Sequence, residues 1–382
     1  MKTTKKKITA LVCTVASVLA VVLPQPLLCS CQQADEPQPV PEQGVPLRLV
    51  SGISTVQTRA FDSSWNYGDE IGVFTTVAGT TTVTKSGVNN DENVGYKIAN
   101  AEFNGSTNPI NTYNSTGGSY LYKSFAPSAQ NSQIYLPANG SDVDVYAYYP
   151  WTTGVSASSP LNITVPTTQY ASGNNENQKA VDVLKASYKT DVTDEDPTKH
   201  IHVNIDNTTA QLQFSHIMSK VLVRVVVGEG YGASDLNGTN ISSVVLSGQP
   251  TVATFAPVTQ ALTITSGSNA ITMAELASGD ADYVTTATIS NVEHNVIHNY
   301  RAIILPNTDA TGTNPVTSGT QRQIQFNVGS VTYSYNITQN FQPGYQTVYT
   351  IILAANEVTV TAAITPWTPN AIPITEPLYP NS

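Results

Sequence analysis

Cysteine is nearly missing from this 382-residue chain: Cys13, Cys29 and Cys31 are the only three, and none follows Cys31. If a leader is cut before Cys31, one thiol remains, which excludes a disulfide framework, a thiolate zinc site and a cysteine nucleophile from the mature chain. Basic residues are also few, 17 Lys and Arg against 27 Asp and Glu for a net charge of −10. Nucleic acid is thereby excluded as a partner, because neutralising phosphates needs the opposite sign. Charged residues make up 12% of the chain, about half the usual share, and the Lys and Glu that solvate helix surfaces are sparse. Thr, Ser, Asn, Tyr and Val take their place, the composition of an all-β extracellular protein.

One long uncharged apolar run is present, Ile8 to Leu23, and Lys2, Lys5, Lys6 and Lys7 precede it. That is the layout of a bacterial secretory leader. The run is marginal for a membrane span, which needs roughly 17 to 25 apolar residues, and Pro24 and Pro26 end it. Lipoprotein leaders carry a small residue just before the modified cysteine and typically a leucine three before it. Cys31 has Ser30 and Leu28 in those places, whereas Cys29 has Leu28 and Pro26. Cys31 therefore resembles a lipid-attachment cysteine; an ordinary secretory leader with incidental cysteines is the other reading. Two acyl chains would hold the protein stably at a membrane. Removing the four leader lysines from 17 basic residues, with all 27 acidic ones kept, leaves a net charge of −14. Residues 31–46, with Pro37, Pro39, Pro41 and Pro46, read as an extended tether.

The remaining length exceeds what one hydrophobic core usually organises, so two domains are expected, 47–207 and 208–364, divided near Ile205 to Thr209. Val143, Val145, Ala147 and Tyr149 alternate with Asp144, Tyr146 and Tyr148, the pattern of a half-buried strand. Lys220 to Val227 reads as a strand buried on both faces with Arg224 as its interior charge. Further strands are expected at Glu70–Thr76, Gln133–Leu136, Asn162–Val165, Gln211–Phe214, Ser243–Leu246, Tyr300–Leu305, Arg322–Phe326, Val331–Ile337, Thr347–Ala354 and Val358–Ile364. Asn177 to Tyr188 suits a short helix, Met273 to Ser278 a single helical turn, and Thr80 to Gly118 a long surface loop or hairpin insertion.

Chemistry-bearing patterns are weak. Glu293, His294 and His298 approach a metalloprotease spacing, but the glutamate lies outside the histidine pair and Val292, Val296 and Ile297 suit a strand. His200 and His202 share a strand face without a third ligand at a telling spacing. Asp142 with Asp144, or Asp191 with Asp194, Glu195 and Asp196, offer paired carboxylates, which sugar hydrolysis needs at a defined separation. The residues point to no enzyme and no cofactor.

Two end segments point elsewhere. Val50 to Phe61, VSGISTVQTRAF, is a short β-branched stretch ending in Arg59 and Ala60; Val358 to Ser382 carries a strand, the I-T-P-W of Ile364 to Trp367 and a proline-rich tail. Between them lie W-x-x-G-D-x-I-G-V-F from Trp65 to Phe74, Y-L-P at Tyr135, V-D-V-Y-A-Y-Y-P at Val143, F-S-H-x-M-S-K from Phe214 to Lys220 and I-L-P at Ile304. In this order the segments resemble the fimbrillin family, pilus-building lipoproteins of Bacteroides-type bacteria. The resemblance implies two tandem transthyretin-like β-sandwich domains and an extended C-terminal arm, 365–382. It further implies lipid at Cys31, cleavage by an arginine-specific protease between Arg59 and Ala60, and assembly by β-augmentation. Trp367, Ile372, Ile374, Leu378 and Tyr379 would then supply the arm's apolar contacts; Arg59 as an ordinary solvated loop residue, with Arg48 or Lys85 cut instead, is the other reading. The partners implied are other fimbrial subunits, that protease, the outer membrane through the lipid, and a host or bacterial surface receptor for adhesion. The alternative is a non-polymerising surface lipoprotein that binds glycans, with Tyr146 and Tyr148 stacking on sugar rings.

Overall fold

The computed structural model describes residues 44–52, 69–86, 89–98, 113–115, 118–120, 122–129, 132–170, 176–188, 201–228, 241–265, 267–307, 321–354, 357–367 and 374–378. Among them the chain is all-β; its one helix, Glu176–Lys179, has four residues. None of the described helices is long and apolar enough to cross a membrane.

The first half builds an eight-stranded sheet in the order Leu184–Tyr188, Thr209–His216, Arg48–Gly52, Tyr122–Pro127, Val94–Ile98, Glu70–Val77, Val143–Tyr149, Ile201–Val203. Leu184 and Lys185 also pair with Tyr149 and Tyr148, so the sheet curls until its first and seventh strands meet. Inside the curl, Leu47, Leu49, Ile71, Val73, Tyr96, Phe125 and Ile134 share one buried core with Val143, Val145, Ala147 and Tyr149. The strand that follows the expected domain division, Thr209–His216, pairs within this same sheet.

The second half layers a sheet ordered Ala274–Glu275, Val292–Ile304, Ser219–Val227, Tyr345–Ala354, Glu357–Pro366, Ile374–Leu378 against the four strands Asn269–Thr272, Ile241–Gln249, Gln323–Val328 and Val331–Asn336. A smaller sheet, Leu161–Thr164, Val252–Ala256 and Ala261–Ile264, joins the same core, which holds Val221, Val223, Val225, Tyr300, Leu246, Phe255, Phe326 and Tyr349.

Five expectations are corrected. Gln133–Leu136 forms a single bridge, Tyr135 with Pro46, rather than a strand, its backbone being tied to the chain just before Arg48. Val143–Tyr149 is buried along its whole length rather than on one face, because Tyr146 and Tyr148, with Phe74, enter the second core while the alternate residues fill the first. Gly72 makes this possible: a Cβ there would stand 2.2 Å from the Tyr148 ring. The helix expected to Tyr188 stops at Lys179, and Leu184–Tyr188 is a strand, since its backbone closes the curled sheet and buries Leu184 and Ala186. Met273 to Ser278 likewise contains the strand Ala274–Glu275, paired with Tyr300 and Arg301. Within the stretch expected to loop out, Val94–Ile98 is an interior strand, held by Tyr96 at 1% exposure.

Candidate assembly interface

Leu47 and Leu49 alternate inward, so the N-terminal strand Arg48–Gly52 inserts its apolar face into the first core. It pairs in parallel with Thr209–Gln213 on one side and antiparallel with Tyr122–Phe125 on the other. The approach to it is fastened too: Leu47 N–H donates to Ile134 O at 2.9 Å, Leu136 N–H to Val45 O at 2.8 Å, and Gln133 Nε2 to Leu47 O at 3.0 Å. Arg48 is exposed, but its backbone is paired with Thr209 and its N–H donates to Thr208 O at 2.9 Å, a form that no protease can thread while the sheet is closed. Lys85 sits exposed on the short hairpin Lys85–Ser86/Asn89–Asn90.

At the other end, Glu357–Pro366 pairs with Tyr345–Ala354 over ten residues without a register shift. The tail strand Ile374–Leu378 then folds back along the outer side of Glu357–Pro366, with Val358 opposite Leu378 and Ala362 opposite Ile374. Its backbone is thus a sixth strand at the sheet margin.

Trp367 stands between these segments and is half-buried. Its ring stacks on His216 with centroids 3.8 Å apart and planes 13° from parallel, and Lys220 Nζ lies 5.0 Å from the ring centroid. Trp367 N–H donates to Gly344 O at 3.1 Å. Gly344 has φ +73°, a conformation that favours glycine, and a Cβ there would press on His216 O at 3.3 Å.

The seat is braced from behind. His216 Nδ1 lies 2.7 Å from Asp182 Oδ1, both side chains being almost fully buried. Lys220 Nζ donates to both oxygens of Asp282 at 2.8 and 3.0 Å. Arg301, 1% exposed, donates to both oxygens of Asp280, to Asp282 Oδ2 and to Gln178 Oε1. Gln178 donates in turn to Gln169, whose amide bonds both backbone groups of Ile303. Burial pushes the Asp282 carboxyl up, but Lys220 and Arg301 together bring it below its ordinary value. Burial lowers the Lys220 ammonium despite its Asp282 partner.

Of the residues expected to act, Cys31, Arg59, Ala60, Ile372 and Tyr379 lie outside the described residues, as do His200 and Asp191 to Asp196. Ile374 and Leu378 are placed by their backbone in the tail strand. His216 and Lys220 were not singled out from the sequence as site residues, although both belong to the F-S-H-x-M-S-K landmark; a landmark containing two titratable groups beside a second one containing tryptophan is the signal that could have joined them.

The profile of fimbrillin-like proteins matches residues 58–367. The chain belongs to the fimbrillin-like family. A candidate fimbrium subunit of Bacteroides uniformis, Fim1C, is 26% identical to this fimbrillin-like chain over 360 residues, covering 92% of it and 95% of the relative. The fold is shared with crystal structures of two candidate cell-adhesion proteins. The one from Bacteroides uniformis has TM-score 0.54 at 19% identity, covering 87% of this chain and all of that one. Its counterpart from Bacteroides ovatus has TM-score 0.52 at 19% identity, covering 86% of this chain and 99% of that one.

Within this fimbrillin-like fold the other candidate side chains are engaged in structure. Tyr146 and Tyr148 are 6% and 0% exposed, and the Tyr148 hydroxyl donates to Asn93 Oδ1. Neither ring can serve as a platform for a sugar, because the second core covers that face. Asp144 is buried against His202 at 2.6 Å and accepts the Gly79 N–H, while Asp142 accepts from Asn204. His298 lies 2.7 Å from Glu275, and His294 approaches the Val227 carbonyl.

Proposed function

We propose that the protein is a structural fimbrial subunit, without enzymatic activity, that polymerises head to tail by protease-triggered strand exchange and serves cell adhesion. The observation that carries this reading is the position of Arg48–Gly52 between two neighbours. Strand Arg48–Gly52 lies on the N-terminal side of Arg59, so cutting between Arg59 and Ala60 frees it to depart together with Cys31 and the tether. Its loss would leave Thr209–Gln213 and Tyr122–Phe125 facing each other with unmade ladder bonds and the vacated places of Leu47 and Leu49 as an apolar floor. Unpaired backbone of this kind is a template for another strand. The occupant is the C-terminal arm of a neighbouring subunit, with Ile372, Ile374, Leu378 and Tyr379 supplying side chains for the floor. Pro369, Pro373, Pro377 and Pro380 keep the arm extended and lower the entropy lost on docking.

Two facts support the arm's part. The tail strand has a neighbour on one side only among the described residues, so it can leave by giving up one ladder. It is also the next strand in chain order after Glu357–Pro366, the strand it pairs with. On this reading the precursor is held at the outer membrane by lipid on Cys31, and the processed subunit sits at the cell surface in a fimbrium whose partners are further subunits and a surface receptor.

The test is the N-terminus of the protein on the cell, read by mass spectrometry of material released from whole cells. Ala60 is the expected first residue of the polymer. Acylated Cys31 throughout the polymer would overturn the processing step.

A further inference from the structure

We propose that Trp367 is the fixed pivot of the C-terminal arm: it stays seated on its own subunit, held by His216 and Lys220, and only the chain beyond it changes partner. The proposal rests on the strand-donation reading and names the residues that aim the donated segment.

Among the described residues, the strand before Trp367 has a neighbour on each side and the strand after it has one. Before it, Glu357–Pro366 is locked to Tyr345–Ala354 by ten consecutive register pairs on its inner side. At it, the backbone N–H is tied to Gly344 O, and the ring is stacked on an imidazole at 3.8 Å with an ammonium 5.0 Å from its centroid. After it, Ile374–Leu378 is the margin strand and pairs, among the described residues, with Glu357–Pro366 alone. A segment pulled from its free end therefore peels as far as Trp367 and stops there.

The seat itself is rigid. His216 is held by the buried Asp182, and Lys220 by Asp282, which shares Arg301 with Asp280. Gly344, which accepts from Trp367, is fastened to Met218 O through its own N–H at 2.8 Å, and Ser219 Oγ donates to Gln342 O at 2.6 Å. Removing the indole would uncover the His216–Asp182 pair and take an aromatic face from a buried lysine. Both changes loosen the packing that holds the seat in one arrangement.

A fixed base restricts what the arm can reach. Ile374 is seven residues beyond Trp367, so its place on a neighbour lies within about 25 Å of the seat, at up to ~3.6 Å per extended residue. Because the arm starts from one point and one direction, less freedom is lost when it docks. Trp367, His216 and Lys220 are thus positioning residues for exchange, and the donated contacts come from Ile372 onward.

The experiment uses the full-length mature chain, polymerised after arginine-specific cleavage and followed by the growth of detergent-resistant ladders. A disulfide between Thr361→Cys and Thr375→Cys, which are register partners, staples the tail strand to its own sheet. The stapled protein should stay monomeric and polymerise once reduced. If it polymerises while oxidised, strand donation by the tail fails and the pivot falls with it. If the staple blocks assembly, hydrogen exchange across residues 357–367 decides the pivot: protection of the Trp367 amide should agree within twofold between monomer and polymer. Trp367→Ala should polymerise about tenfold more slowly and Trp367→Phe, which keeps a ring on His216, within about threefold of the parent. Loss of the Trp367 amide's protection in the polymer, or parental speed in Trp367→Ala, would overturn the pivot while leaving donation intact.

Discussion

The N-terminal strand Arg48–Gly52 runs between two neighbours and carries Leu47 and Leu49 into a core, whereas the C-terminal strand Ile374–Leu378 lies at a sheet margin beyond a tryptophan seated on polar groups. Both strands are short, and both are near the ends of the folded chain. Their difference is that one is part of the fold's interior and the other is appended to it. On the proposed strand-exchange reading, the interior strand would leave only when the chain is cut and the gap refilled, whereas the appended one would leave and return. This asymmetry suits a molecule that both receives and gives a strand.

The largest effect that sharpens the contrast is at Leu49. Leu49→Ala should cost the uncut protein about 2–5 kcal/mol, the usual range for a buried leucine truncation, measured by denaturant unfolding. The same substitution should be silent in a polymer whose subunits begin at Ala60, because residue 49 is gone. Next comes the tryptophan seat. Lys220→Met removes the ammonium from Asp282 but leaves Arg301 on that carboxylate, so the loss should be about 1–3 kcal/mol, that of a buried charged group missing one hydrogen-bond partner. A smaller effect is expected from truncation after Trp367, which removes a marginal strand containing Pro377: a shift in melting of only a few degrees in the monomer, with polymerisation abolished. If that truncation unfolds the monomer instead, the tail is interior in its energetics and the contrast breaks.

Acid should produce the smallest change near neutrality. The Asp282 carboxyl lies below its ordinary value of 3.8 in the folded protein, so the unfolded chain binds the proton first as pH falls. Its stabilisation is complete above that ordinary value and is lost on going down through the depressed one. Unfolding free energy measured from pH 6 to pH 3 should stay level at first and decline only below about pH 4, with the decline reduced in Asp282→Asn.

Much of the second half was legible because β-branched runs such as Lys220 to Val227 and Thr347 to Ala354 are long and lie in the middle of a sheet, where residue type and burial agree. Val94–Ile98 escaped notice because a five-residue strand inside an Asn-, Thr- and Gly-rich stretch has too little periodicity, and only tertiary pairing stabilises it. Leu184–Tyr188 escaped because its apolar residues suit either a helix or a strand; closure of the curled sheet decides between them. The alternation in Val143–Tyr149 was visible, but the covering of its second face by Tyr146 and Tyr148 was not, since a sequence does not say that a second core will press against it. At the interface, the two landmarks containing His216 and Trp367 were each visible. Their meeting, about 150 residues apart in the chain, is a fact of packing alone.

The strand Thr209–His216 takes part at both places: its first five residues wall the groove that Arg48–Gly52 fills, and its last residue carries the indole of Trp367. In a filament linked through the groove and the arm, tension arriving from one neighbour would therefore pass to the other along a single covalent segment of eight residues. The load would run along the strand rather than across the core between the two sheets. Ladder bonds on either side would be sheared together instead of unzipped singly, and the hydrophobic cores would stay out of the line of force. Such a subunit could be stretched by flowing liquid without being unfolded by it.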